Sequence, residues 1–162
     1  MTSASLPTPK AVRDLLLDLL GRNVEVDVAD PYAPAQNEPA TLAVYVDDGM
    51  RTMAVVAADL PFSANVGAAI GLIPKGGAEA AIEDGELSPL LQDNLSEVLN
   101  ICATLLNTPG QPHVRLHAAY PPGVMPPSDV PGFATVLGQR LDLTVEVAGY
   151  GKGRFSVVAL GL

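Results

Sequence analysis

The chain has 162 residues, a net charge of −9, 48% apolar residues and only 4% aromatics. One domain of this length buries a core unaided, and that core must be built of Leu, Val, Ile and Ala. The charge argues against nucleic acid, where phosphate neutralisation supplies most of the affinity, and against an anionic membrane surface; a partner with a basic rim suits it better. No apolar run reaches the roughly 18 residues of a membrane span, and no basic segment followed by an apolar one opens the chain. The expectation is a soluble, cytoplasmic protein with neither membrane nor nucleic-acid partner. A lone cysteine excludes an internal disulfide and a Cys-based zinc site.

Residues 1–7 read as a loose tail on a single domain covering 1–162. Thr8 caps and Pro9 opens a first helix whose Val12, Leu15, Leu16, Leu19 and Leu20 share one face, with Gly21 as its stop. Asn23 to Asp30 alternates valines with acids, a strand with one wet face. Asp30 to Ala40 is a Pro- and Ala-rich surface connection. Thr41 to Val46 and Arg51 to Ala58 are strands joined at Asp47-Asp48-Gly49. Pro61 starts a second helix after Asp59, with Phe62, Val66, Ala69, Ile70 and Ile73 facing inward, and Pro74-Lys75-Gly76-Gly77 breaks it. Ala78 to Gly85 is an acidic loop or a short turn of helix.

Ser88 to Asn107 is the stretch around which the rest is organised. Ser88 caps it, Pro89 suits the first helical position, and Thr108-Pro109-Gly110 ends it. At about 100° per residue, Leu91, Leu95, Val98, Leu99, Cys102, Leu105 and Leu106 form a core stripe. Cys102 falls in that stripe, which favours packing over nucleophilic chemistry. Asp93, Glu97, Asn100, Thr104 and Asn107 form a second stripe on the opposite side. It contains no Lys or Arg to support it through i,i+4 pairs, and it holds two Asn residues, weak formers in mid-helix. Leu90 and Ile101 add apolar shoulders. The stripe reads either as a plain solvated face or as a docking face.

His113 to Tyr120 is a strand closed by Pro121-Pro122, and 121–132 is a loop. Residues 133–141 are ambiguous between helix and strand. Leu141 to Val147 and Arg154 to Leu160 are strands around a hairpin loop at Gly149 to Gly153. The order of elements gives an α+β domain, a largely antiparallel sheet of about five to six strands packed with two to three main helices.

Ordinary catalytic motifs are missing from this list. Gly71 to Lys75 lacks the Gly-Lys-Ser/Thr of a phosphate loop. Gly149, Gly151 and Gly153 lie between two strands, not at a strand-to-helix turn. His113 and His117, on one face of a strand, lack a third metal ligand. Ser63 and Ser96 have no His and acid nearby in sequence.

The pattern Asp93-x-x-x-Glu97-x-x-Asn100, followed 20 to 21 residues later by Pro121-Pro122, resembles the CheC/CheX/FliY family of bacterial chemotaxis phosphatases. The order and length of the elements, and the segment His-Ala-Ala-Tyr-Pro at 117–121, are similar to the CheX type across essentially the whole chain. The resemblance implies hydrolysis of the aspartyl phosphate of a CheY-like receiver domain. It implies that Asn100 orients the attacking water and that Glu97 pairs with the receiver's active-site lysine. A carboxamide accepts a hydrogen bond from water without titrating, and a glutamate one turn away can bond an ammonium. Asp93 would contact the partner or favour the helix through its dipole. Leu90, Ile101, Thr104 and Asn107 would line the partner contact.

The sequence departs from the family at Ser96, where Gly is frequent, and at Thr104 and Asn107, where small residues are usual. No second E-x-x-N is present, so a single site is implied, as in the CheX type, together with a homodimer. The protein would need no cofactor of its own, the Mg²⁺ of receiver chemistry belonging to the partner. The alternatives are a CheX-like module that binds a receiver or flagellar-type partner without catalysis, and an unrelated acidic α+β scaffold.

Overall fold

A computed structural model describes residues 6–160. Most of the expected tail, residues 1–5, lies outside the described residues; Leu6 packs against the core. Six strands form one antiparallel sheet in the order β1-β5-β6-β3-β2-β4. They are β1 (Val24–Val28), β2 (Ala40–Val46), β3 (Thr52–Asp59), β4 (Arg115–Tyr120), β5 (Gln139–Val147) and β6 (Gly151–Ala159). The helices are α1 (Pro9–Leu20), α2 (Leu60–Ile70), α3 (Lys75–Asp84), α4 (Pro89–Ile101) and the short α5 (Val130–Phe133). The α+β class and the antiparallel sheet are as the sequence predicts.

The helix starts and stops follow local chemistry. The Thr8 hydroxyl accepts from the Ala11 amide at 3.1 Å, and Gly21 closes α1 in the left-handed conformation, its amide bonded to the Leu17 carbonyl. The Asp59 carboxylate caps α2 through the Phe62 amide at 2.8 Å. Nine of the eleven α2 residues are buried, so this helix is enclosed between the sheet and other helices. Its seat on β6 is Gly153, where any Cβ would overlap the Phe62 backbone.

Both faces of the sheet are covered. The larger core lies between the sheet and α1, α2 and α4, and includes Leu16, Tyr45, Phe62, Leu95, Leu99 and Phe155. On the opposite face Leu42, Val44, Val55 and Ala57 pack with Val130 and Ala134 beneath the loops at 31–39 and 121–137. Double coverage explains why β2 and β3 are near-continuous apolar runs, whereas β1 keeps Glu25 and Asp27 in solvent.

Several boundaries differ from expectation. Lys75 to Asp84 is a full helix that begins with Gly76 and Gly77, because Ala78 and Ala81 find burial against the neighbouring core. The ambiguous stretch 133–141 divides between the end of α5, a connection and the start of β5. The final hairpin is shorter than expected, since β6 already begins at Gly151.

One buried ion pair ties the loops to the back of the sheet. All five guanidinium protons of Arg140 are used: Nε and Nη2 bond the Asp142 carboxylate at 2.9 and 2.8 Å, Nη1 bonds the carbonyls of Ala134 and Val136, and Nη2 bonds that of Tyr32. Asp142 also accepts from the Tyr32 amide and the Ser156 hydroxyl. Burial alone would raise the Asp142 carboxyl, but the Arg140 and Ser156 hydrogen bonds outweigh it and hold the group below the usual aspartate range. A depressed folded-state value means that this stability is present above the unfolded aspartate pKa of about 3.9 and is lost as pH falls through the folded value. Arg140→Ala is therefore expected to lose about 3–5 kcal/mol at pH 7 by stranding a buried carboxylate. Denaturant titrations at pH 7 and pH 3 should show that deficit shrinking in acid; an equal deficit at both would refute the assignment.

Candidate functional site

The outer face of α4 is positioned from beneath by α2. A Cβ on Gly67 would come within 3.0 Å of the Leu91 carbonyl, so the two helix backbones meet there. The Asn94 carboxamide spans the same crossing and donates to the Gly67 carbonyl at 2.9 Å. At its start, the Ser88 hydroxyl accepts from the Leu91 amide and Gln92 donates to the Leu87 carbonyl. Leu91, Leu95, Val98 and Leu99 are buried, as the periodicity predicts.

The expected helix to Asn107 is instead α4 to Ile101 followed by a 3₁₀ turn, Cys102–Leu105. Side chains tighten this end. Thr104 bonds its hydroxyl to the Ile101 carbonyl at 2.9 Å, a local competition with helical bonding. From below, fully buried Tyr45 on β2 donates its hydroxyl to the Leu99 carbonyl at 2.5 Å, one residue before Asn100. Burial pushes the Tyr45 hydroxyl well above its ordinary pKa, so it stays a neutral donor. Burial likewise pushes the Cys102 thiol up to about 12, which leaves it without thiolate character.

The seven residues predicted for this site separate into distinct environments. Asp93, Glu97 and Asn100 are exposed, and among the described residues none hydrogen-bonds their side chains. Glu97 and Asn100 stand one turn apart on the solvent side. Leu90 is 58% exposed and Ile101 half-buried, so both remain beside that face. Thr104 is exposed, with its hydroxyl committed to Ile101. Asn107 is half-buried and has a structural role of its own: its carboxamide donates to the carbonyls of Ala103 and Val114 and accepts from the Val114 amide, clasping the connection that leads into β4. Each polar atom of its side chain has a protein partner.

Pro121 and Pro122 follow directly on β4, the strand beneath the α4 side of the domain. His113 precedes β4 while His117 lies within it, so the two do not share a strand face as predicted. Among the described residues no three His, Cys, Asp or Glu side chains converge to hold a metal. A groove of about 810 Å³ lies between the two loops on the far side of the sheet. Its one carboxylate, Glu38, is already bonded to the Tyr32 hydroxyl and the Ala35 amide.

Sequence reasoning missed Asn94 and Tyr45, which position the helix. Asn94 is the same residue type as Asn100 but stands about 120° away around the helix, where it meets the Gly67 carbonyl. A stability comparison tests this division. Asn107→Ala is expected to cost about 1–3 kcal/mol through its unsatisfied partners, whereas Asn100→Ala should stay within about 0.5 kcal/mol of the parent. Chemical denaturation measures both.

No protein-family model matches the sequence, and no curated protein matches it. Similarity to solved structures is extensive. The FliM middle domain from H. pylori aligns with TM-score 0.62 at 10% identity, over 93% of this chain and 84% of that one. CheX in the CheX-CheY-BeF3-Mg²⁺ complex from Borrelia burgdorferi aligns with TM-score 0.56 at 12% identity, over 94% of each chain. FliY from Thermotoga maritima aligns with TM-score 0.54 at 12% identity, over 91% and 81%. Among the described residues no helix is long and apolar enough to cross a membrane. The six-stranded antiparallel sheet with its helical layer is the fold of the CheC/CheX/FliY family, shared with the FliM middle domain.

Proposed function

We propose that this protein is a single-site phosphatase that binds a phosphorylated CheY-like receiver domain on the outer face of α4 and hydrolyses its aspartyl phosphate. The observation that carries the reading is the pair Glu97 and Asn100, exposed one turn apart and without protein partners among the described residues, on a helix whose other carboxamides, Gln92 and Asn94, are committed internally. Its support is the shared fold with a CheX whose structure is a complex with CheY.

In this reading Asn100 accepts a hydrogen bond from water and holds it in line with the acyl phosphate. The carboxamide does not titrate, so the positioning persists across physiological pH. Glu97 bonds the receiver's lysine, fixing the register in which Asn100 enters the receiver's site. The Mg²⁺ of the reaction is held by the receiver, as part of the substrate. Water positioning accounts for a few kcal/mol of barrier, which suffices for a labile acyl phosphate. The neutral Tyr45 donor and the α2 clasp keep the end of α4 in place beneath Asn100.

A non-catalytic binding module is the second reading. It is favoured by the FliM middle domain, whose solved structures include complexes with FliG and SpeE and which aligns with a TM-score as high as that of the CheX.

The decay rate of phosphorylated receivers from the same organism, with and without this protein, decides between them. Asn100→Ala is expected to cut the acceleration about 100-fold, equivalent to roughly 2.7 kcal/mol, while the complex survives. Glu97→Lys should abolish the complex itself by opposing the lysine. A detectable complex with no acceleration of any receiver would leave the binding module.

A further inference from the structure

The turn between α2 and α3 contains an exposed leucine in a backbone conformation that leucine avoids. Leu72 has φ +56° and is 77% exposed. The Leu72 amide bonds the Ala69 carbonyl at 3.2 Å and the Ile73 amide bonds the Ala68 carbonyl at 2.8 Å, the double bond that closes a helix through a left-handed residue. That residue is usually glycine, because a side chain crowds the carbonyl there. The chain does have a glycine here, but one position earlier. Gly71 is where a Cβ would overlap the Asn94 carboxamide of α4. Tyr150 then fixes the turn by donating its hydroxyl to the Ile73 carbonyl at 2.5 Å. Folding gains little from a leucine at this point, since its side chain is mostly in water and its backbone is strained.

The position of the turn suggests what the side chain is for. The Asn94 carboxamide lies over Gly71, which brings the turn that carries Leu72 to the N-terminal half of α4, where Leu90, one turn before Asn94, is 58% exposed. Asp93 precedes Asn94, and Glu97 follows one turn later. We infer that Leu72, together with Leu90, is the apolar anchor by which the α4 face grips a receiver domain. This inference rests on the phosphatase reading and adds the surface that would hold the partner.

Two observations commit the surface to such a partner. A 13-residue helix is about 20 Å long and 10 Å wide, too narrow to supply the roughly 800 Å² per partner of a specific complex. The contact must therefore extend onto a flank, and the α2–α3 turn lies on one. Residues 75–101, which contain α3 and α4, also carry six Asp or Glu against one Lys, so the elements that follow the turn are acidic. Apolar side chains carried on acidic elements fit a receiver surface that presents lysine.

The test compares affinity with stability. Full-length protein and its Leu72→Gly and Leu72→Asn variants are titrated against receivers activated with beryllofluoride and Mg²⁺. Both variants tolerate the left-handed backbone, so the melting temperature should hold or rise, by about 2–4 °C for glycine. Affinity should fall about tenfold or more. Leu137→Asn, at an exposed leucine on the far face of the sheet, should bind like the parent. Parent-like affinity in both Leu72 variants would overturn the anchor alone. Failure of the parent to bind any receiver would overturn the phosphatase reading along with it.

Discussion

The helical layer rests on backbone contacts at two glycines. At Gly153 the start of α2 lies directly on β6, and at Gly67 its middle meets the Leu91 carbonyl of α4. A methyl group at either place would have to displace main chain, which cannot yield as a side-chain tip can. The position of α4 is thus passed outward from the sheet through α2. Asn94 and Tyr45 add a hydrogen bond near the middle and near the end of α4. Rigid support of this kind suits a site whose working groups are few and whose geometry must be presented to another protein.

The two faces of the sheet divide the labour. The helix-covered face builds the large core and presents α4. The other face is closed by two proline-rich loops that contain little regular hydrogen bonding of their own. Arg140 replaces it, giving three of its donors to loop carbonyls while its charge is balanced by Asp142. Buried backbone carbonyls are satisfied without extra strands or a long helix, which is how a region crowded with Pro and Gly stays packed.

Much of this was legible in the sequence because the periodicities are clean. Thr8-Pro9, Asp59 with Pro61, and Ser88-Pro89 marked three helix starts through cap chemistry that depends only on neighbours in the chain. The α4 core stripe followed from spacing alone. What stayed hidden depends on partners distant in sequence. Gly76 and Gly77 read as a break, yet they open α3, since burial of Ala78 and Ala81 overrides weak propensity. The polar stripe treated Asn100 and Asn107 alike. Val114, seven residues beyond Asn107, separates them. Arg140 lies in the ambiguous stretch and Asp142 in the strand that follows it, and nothing local announces a fully bonded guanidinium. Leu72 fell in what read as inner helix face giving way to a breaker, and its left-handed backbone appears only once Asn94 occupies the space over Gly71.

The same arrangement also explains how a shared architecture can coexist with identities of 10–12%. The fold requires small residues at a few crossings, apolar alternation along strands and caps at helix starts, and many sequences meet those demands. The chemistry proposed for α4 needs only two side chains on a surface the fold supplies in any case. Architecture and activity therefore separate readily in such a scaffold, and a family resemblance in shape constrains the second far less than the first.

Cys102 is the chain's lone cysteine, sealed in the core where α4 gives way to the 3₁₀ turn. Alkylating reagents attack through the thiolate, a form the native protein scarcely populates when the thiol is held near 12. Burial and the raised pKa together make this thiol a poor target for maleimides in the native protein. A cysteine placed on the solvent side would be the single addressable point in the molecule, so one fluorophore or spin label could be set on a chosen surface of the folded chain with the natural core left as it is.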